Sequence, residues 1–103
     1  EKEHKKEEMH RFAVLVAARN EEAVIGQLIE SIQMQDYPSE LVDVYVVADN
    51  CDDSTASVAR EKGAFVYERF NKVHVGKGYA LNYLLSAMKE DGKREVYDGY
   101  FTG

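Results

Sequence analysis

Apolar positions along this chain follow two rhythms, unbroken runs and a spacing of three to four residues, and the alternation between them lays out the elements. Phe12 to Ala18 is a continuous apolar run rather than an alternating one, the pattern of a strand covered on both faces inside a parallel sheet. Val42 to Ala48 reads as a second strand, Ala64 to Glu68 as a third, and Val96 to Phe101 as the start of a fourth. Between the first two, Val24, Ile25, Leu28, Ile29 and Ile32 keep one apolar stripe through Gln35. That stripe predicts a helix, with Asn20 as its N-cap, Glu21 and Glu22 suited to its positive end, and Asp36-Tyr37-Pro38 stopping it. A short helix from about Ser54 to Lys62 is capped by Asp52 or Asp53 and ended by Gly63. Leu81, Leu84, Leu85 and Met88 mark a third helix from about Gly78 to Lys89.

Strand and helix alternating in this way predict an α/β domain, a Rossmann-like open, mostly parallel sheet with right-handed crossovers and helices on both faces. At 103 residues the chain suits one core and not two. Residues 1 to 10 read as a charged flexible arm, because Met9 is their only apolar member. Residues 11 to 103 form the domain proper. Tyr100-Phe101-Thr102-Gly103 ends just as the fourth strand enters the core, which reads as a truncated domain.

The formal charge of −6 and pI near 5.0 argue against a nucleic-acid binder, whose affinity comes mainly from clustered Lys and Arg. A single cysteine, Cys51, forms no internal disulfide, so a cytoplasmic setting is the default. No apolar run approaches the ~20 residues that cross a bilayer, and the charged N-terminus is unlike a secretory signal.

Ligands of open α/β sheets bind beyond the carboxyl ends of the strands, and two strand ends here are rich in polar groups: Arg19-Asn20-Glu21-Glu22 after the first, and Asp49-Asn50-Cys51-Asp52-Asp53 after the second. Gly76-Lys77-Gly78 fits neither nucleotide-loop pattern, since GxGxxG needs glycine at Leu81 and GxxxxGK[ST] needs Ser or Thr at Gly78. It serves as a flexible helix entry, or brings Lys77 to an anionic ligand at the helix N-terminus. His4, His10, His74 and Cys51 lack zinc-ligand spacing, and no nucleophile elbow surrounds Ser54, Ser57 or Cys51. Asp49 follows an apolar strand directly, where a carboxylate needs donors. It either stabilises the turn or accepts from a ligand, for which the single imide N–H of uracil is suited.

Ala18-Arg19-Asn20-Glu21-Glu22, Val46 to Thr55, and Gly76-Lys77-Gly78-Tyr79-Ala80-Leu81-Asn82, in that order and spacing, resemble the family 2 inverting glycosyltransferases of the A-type fold. The resemblance covers about Arg11 to Phe101. The family pattern has proline at the position of Ala17, tyrosine at Arg19, aspartate at Ala48 and Gly-Ser at Asn50-Cys51, so this chain departs from it at those points.

By resemblance, Ala17, Ala18 and Arg19 line a base pocket, with the Arg19 guanidinium available to stack on the base. Glu21 orients the pocket, Asp49 accepts from the uracil imide, and Lys77 lies near the nucleotide. The same resemblance implies a UDP-sugar donor, an acceptor glycan or lipid of cell-envelope or polysaccharide synthesis, and a parent protein that works at the cytoplasmic face of a membrane. The family's cation-binding Asp-x-Asp and its catalytic base are expected beyond Phe101. Magnesium or manganese therefore belongs to the longer enzyme, and this segment is expected to bind nucleotide without catalysis. A non-catalytic flavodoxin-like signalling or nucleotide-binding module is the alternative. Against it, a phospho-acceptor receiver needs an acidic pair after its first strand, where this chain has Arg19-Asn20.

Overall fold

The computed structural model describes residues 10–35 and 37–103. The arm expected at residues 1 to 10 lies outside them except for His10, as does Asp36 of the expected stop Asp36-Tyr37-Pro38. The elements run β1 (Phe12–Ala18), α1 (Ile25–Gln33), a single 3₁₀ turn (Ser39–Leu41), β2 (Val42–Asp49), α2 (Thr55–Glu61), β3 (Phe65–Arg69), α3 (Lys77–Glu90), a second 3₁₀ turn (Arg94–Val96) and β4 (Gly99–Thr102).

The sheet has four strands in the order β3-β2-β1-β4, every neighbouring pair parallel. The chain winds outward from β1 to β3 and then crosses back through α3 to lay β4 on the other side of β1. Reversals of this kind open a crevice at the strands' carboxyl ends. Both faces of β1 and β2 are covered, which is why their sequences read as continuous apolar runs. Val16, Ala18, Val44 and Val46 pack against Ile25 and Ile29 of α1 and Ala59 of α2. The intervening Ala13, Leu15, Tyr45 and Val47 pack against Ala80, Leu84 and Met88 of α3. Ile25 and Ile29 are completely buried, each contributing about 1.5–3 kcal/mol of apolar transfer free energy.

Several boundaries differ from the sequence expectation: α1 ends at Gln33 rather than Gln35, and β3 is shifted by one residue, to Phe65–Arg69. Asn20 does not cap α1: it stands in the left-handed region at φ 52°, which Asn tolerates better than most residues. The carbonyl of Glu21 accepts from the amides of Val24 and Ile25, and the regular helix starts four residues late, at Ile25. The third helix begins one residue earlier than expected, at Lys77, because Gly76 at φ 131° turns the chain directly into it. The fourth strand begins three residues later, at Gly99. Before it, the Asp98 carboxylate accepts from the Arg11 amide at 2.9 Å and the Asp98 amide donates to the Arg11 carbonyl at 2.7 Å. Gly63 ends α2 as expected, at φ 92°, with the Ala64 amide reaching back to the Ala59 carbonyl at 3.1 Å as in a Schellman cap.

Candidate nucleotide site

The loops leaving β1 and β2 are tied to each other side by side. The Asp52 amide donates to Asn20 Oδ1 at 2.9 Å, the Glu21 amide to Thr55 Oγ1 at 2.8 Å, and the Glu22 amide to Asp53 Oδ2 at 3.2 Å. In return the Ser54 amide donates to Glu22 Oε1 at 2.8 Å. Glu22, expected to serve the start of α1, therefore serves the start of α2 instead. The N-cap position of α2 is Ser54, which makes no side-chain capping bond; Asp53 stands just before it, with Oδ1 accepting from the Thr55 amide at 2.9 Å and the Thr55 hydroxyl at 2.6 Å. These bonds hold the Asp53 pKa below its ordinary value, the Thr55 hydroxyl contributing most. Cys51 joins the same edge, its Sγ 3.3 Å from the Asn20 amide and 3.4 Å from the Ala18 carbonyl.

The loop leaving β3 is tied to β2. Asn50 sits at φ 53° and pairs reciprocally with Asn71, its Nδ2 donating to the Asn71 carbonyl at 2.9 Å and its Oδ1 accepting from the Asn71 amide at 2.8 Å. Asn71 Oδ1 in turn accepts from the amides of Val73 and His74, both at 2.9 Å. Arg69, the last residue of β3, is paired in register with Asp49, the last residue of β2. Its Nη1 lies 2.8 Å from Asp49 Oδ1 and its Nη2 donates to the His74 carbonyl at 2.6 Å. Arg69 is thus the link between the Asp49 carboxylate and the entry to α3.

These three tied loops enclose a cleft of about 170 Å³ lined by Ala17, Ala18, Arg19, Glu21, Asp49, Val75, Gly76, Lys77 and Ala80. Ala17, Ala18, Arg19, Glu21, Asp49 and Lys77, the residues singled out from the sequence, all stand on its wall. Drug-sized ligands occupy roughly 300–1,000 Å³, so this space suits one part of such a ligand, such as a planar base. Arg19 and Glu21 are exposed on one rim and Lys77 on the other, at the first residue of α3. There the free amides of the first helical turn favour anions. Asp49 is only 5% exposed. With Oδ1 engaged by Arg69, its Oδ2 receives no hydrogen bond from the described residues.

The sequence reading missed Arg69, Asn71 and Thr55. An arginine at the end of a strand reads as the first residue of a loop, and only the β2–β3 register brings it opposite Asp49. The one available signal was that both apolar runs end in an ionisable residue of opposite sign. Among the described residues no group of three or more His, Cys, Asp or Glu side chains converges to hold a metal ion.

The sequence matches "Glycosyltransferase like family 2" over residues 10–96. The chain belongs to this family. A β-monoglucosyldiacylglycerol synthase of Synechocystis sp. is 34% identical over 86 residues, covering 79% of this chain and 18% of that protein. A 4,4'-diaponeurosporenoate glycosyltransferase of Staphylococcus aureus is 47% identical over 57 residues, covering 55% of this chain and 14% of that one. Among solved structures, a Pyrobaculum calidifontis mannosyltransferase in complex with GDP-Man and Mn²⁺ superposes with a TM-score of 0.63 at 28% identity, over 77% of this chain and 24% of that chain. A Mycobacterium tuberculosis glucosyl-3-phosphoglycerate synthase in complex with UDP gives 0.59 at 32% identity, over 76% of this chain and 30% of that chain. The chain therefore spans less than a third of each of these relatives. Its fold is the α/β core of the A-type glycosyltransferases. Among the described residues no helix is long and apolar enough to cross a membrane.

Proposed function

We propose that this chain is the nucleotide-binding segment of a glycosyltransferase that moves a sugar from a UDP-sugar to an acceptor hydroxyl in cell-envelope or polysaccharide synthesis. The observation that carries this reading is the convergence of Asp49 and Lys77 on one cleft at the carboxyl ends of β1 and β2, in a chain of this family. Lys77 and the amides of the first turn of α3 meet the diphosphate, and Arg19 and Glu21 border the base.

The choice of uracil rests on Asp49. Arg69 occupies Oδ1, which leaves one oxygen to accept. The imide of uracil offers a single N–H between two carbonyl oxygens, whereas guanine presents two adjacent donors that ask for both carboxylate oxygens. One solved relative carries UDP and another GDP-Man, so the distinction has to be made by this chain's own residues. In the whole protein a divalent cation is the partner of the donor diphosphate. The acceptor is a glycan or lipid, in keeping with relatives named for a glucosyldiacylglycerol and a diaponeurosporenoate, and the parent works at the cytoplasmic face of a membrane. The segment alone binds nucleotide and transfers no sugar.

The test is a titration of the isotope-labelled chain with UDP, GDP and ADP, followed by amide chemical shifts. UDP is expected to move the signals of Ala18, Asp49 and Lys77 most, and Asp49→Asn to weaken its effect. Equal responses to all three nucleotides rule out the uracil reading.

A further inference from the structure

Nineteen acidic residues are spread over this chain of net charge −6, yet Phe70 to Lys89 is a run of 20 residues containing none, with lysines at 72, 77 and 89. The first half of that run is also where apolar side chains stand outside the fold. Phe70 is 66% exposed, Val73 82%, Val75 43%, Tyr79 51% and Tyr83 42%. Val75, Tyr79 and Tyr83 share one side of the start of α3, and Phe70 and Val73 stand on the loop that leads into it. Val75 and Tyr79 line a shallow groove with Gly76, Gly78 and Asn82, the His74 and Tyr79 rings lie 5.0 Å apart, and Tyr83 follows Tyr79 by one helical turn, its hydroxyl 3.4 Å from the Glu68 carbonyl.

The acids that border this surface are occupied or face elsewhere. Glu68 is paired with Arg60 at 3.1 Å, Asp49 is paired with Arg69 at 2.8 Å, and Glu21 lies across the cleft on its far rim. Lys77 is accounted for by the nucleotide cleft. Phe70, Lys72 and Val73 are not, since none of them lines it.

We propose that the β3–α3 loop and the first turns of α3 form a docking surface for an anionic lipid membrane. Exposed aromatic and aliphatic side chains beside Lys72 suit the headgroup region, where tyrosine rings sit at the interface and an ammonium group meets lipid phosphates. The charge of the patch, opposite to that of the chain as a whole, suits an anionic surface, and the exposed tyrosines suit the headgroup region of a membrane. The membrane contact does not depend on the nucleotide reading. Its consequence, that a lipid acceptor arrives beside the cleft at Val75 and Gly76, does rest on it.

The experiment is co-sedimentation of the chain, without nucleotide, with vesicles of phosphatidylcholine alone or mixed with phosphatidylglycerol. Binding is expected only with phosphatidylglycerol present, falling as salt is raised. Lys72→Glu is expected to weaken it by at least roughly fivefold, the loss that removing one basic residue near such a surface brings, and Val73→Asp is expected to weaken it as well. Both side chains are exposed and outside the cleft, so unchanged amide shifts with UDP certify that the variants are folded and keep the nucleotide question separate. Absence of binding, equal binding to neutral vesicles, or full binding by both variants overturns the proposal. So does concentration-dependent self-association that the same substitutions abolish, which would make the surface a protein interface instead.

Discussion

Asp49 and Arg69 close the carboxyl ends of β2 and β3 as a register pair, joined at 2.8 Å with their side chains 7% and 8% exposed. A charge pair this deeply withdrawn contributes little net stability, because desolvation offsets its attraction. What it does contribute is position. Arg69 also holds the His74 carbonyl at 2.6 Å, so the carboxylate proposed to read the base and the backbone that delivers Lys77 share one guanidinium.

Removing only one partner leaves an uncompensated buried charge. Arg69→Met is expected to cost about 3–5 kcal/mol in urea unfolding. Asp49→Asn combined with Arg69→Met is expected to recover a large part of that loss, because no unpaired charge remains. A single-variant cost below about 1 kcal/mol, typical of a surface ion pair, contradicts the arrangement.

Gly76 and Gly78 both have open space where a Cβ would stand, but only Gly76 has a positive φ, +131°. Gly76→Ala is expected to destabilise by about 1–3 kcal/mol through backbone strain alone. Gly78→Ala, inside the first turn of α3, is expected to stabilise by about 0.5–1 kcal/mol through helix propensity. Thermal melts of the two variants moving in the same direction would show that the entry to α3 is not built this way.

The contrast between these glycines also marks what was legible in the sequence. Two glycines flanking Lys77 look alike as letters, and their roles separate only once the turn is formed. The strands were legible because Val14 to Val16 and Val44 to Val47 are apolar on both faces, a pattern that only a sheet covered on both sides produces. The wall of the candidate cleft was legible at Ala17, Ala18, Arg19, Glu21, Asp49 and Lys77, because strand ends and helix starts are local features. Arg69, Asn71 and Glu22 were not, because each acts on a loop belonging to another strand. The left-handed turn at Asn20 decides where Glu22 points, and its signal, a lone Asn, is the same as that of an ordinary N-cap.

Tyr45, Tyr67 and Tyr97 sit on the face of the sheet covered by α3, and all three phenols are pushed above their ordinary 10.0, burial being the largest cause. Donation to a carboxylate adds to it, from Tyr67 to Asp91 and from Tyr97 to Asp43. The fold therefore favours the neutral phenols, a contribution fully present below pH 10 and lost as pH rises towards the folded-state values. In an alkaline pH jump, part of the tyrosinate absorbance is expected to appear only at the rate of unfolding. That slow amplitude should shrink in Tyr97→Phe, whereas complete ionisation within the mixing time would mean that these phenols are open to solvent.

Asp53 has the opposite sign. Its folded pKa is depressed below the ordinary 3.8, first by the Thr55 hydroxyl and then by the Thr55 and Glu22 amides. The ionised form is favoured in the fold, so its contribution is present above pH 3.8 and is lost as pH falls through the lower folded value. Asp53→Asn is expected to lower stability at neutral pH and to converge on the parent protein in strong acid, where the carboxyl of the parent has also gained its proton. Because Thr55 Oγ1 accepts from the Glu21 amide at 2.8 Å while donating to Asp53, the same substitution should loosen the loop after β1. Amide exchange at Glu21 and Glu22 is then expected to quicken more than exchange within α1. A pH-independent difference between the two proteins, with exchange raised uniformly, would assign the loss to α2 alone and remove Asp53 from the tie between the two loops.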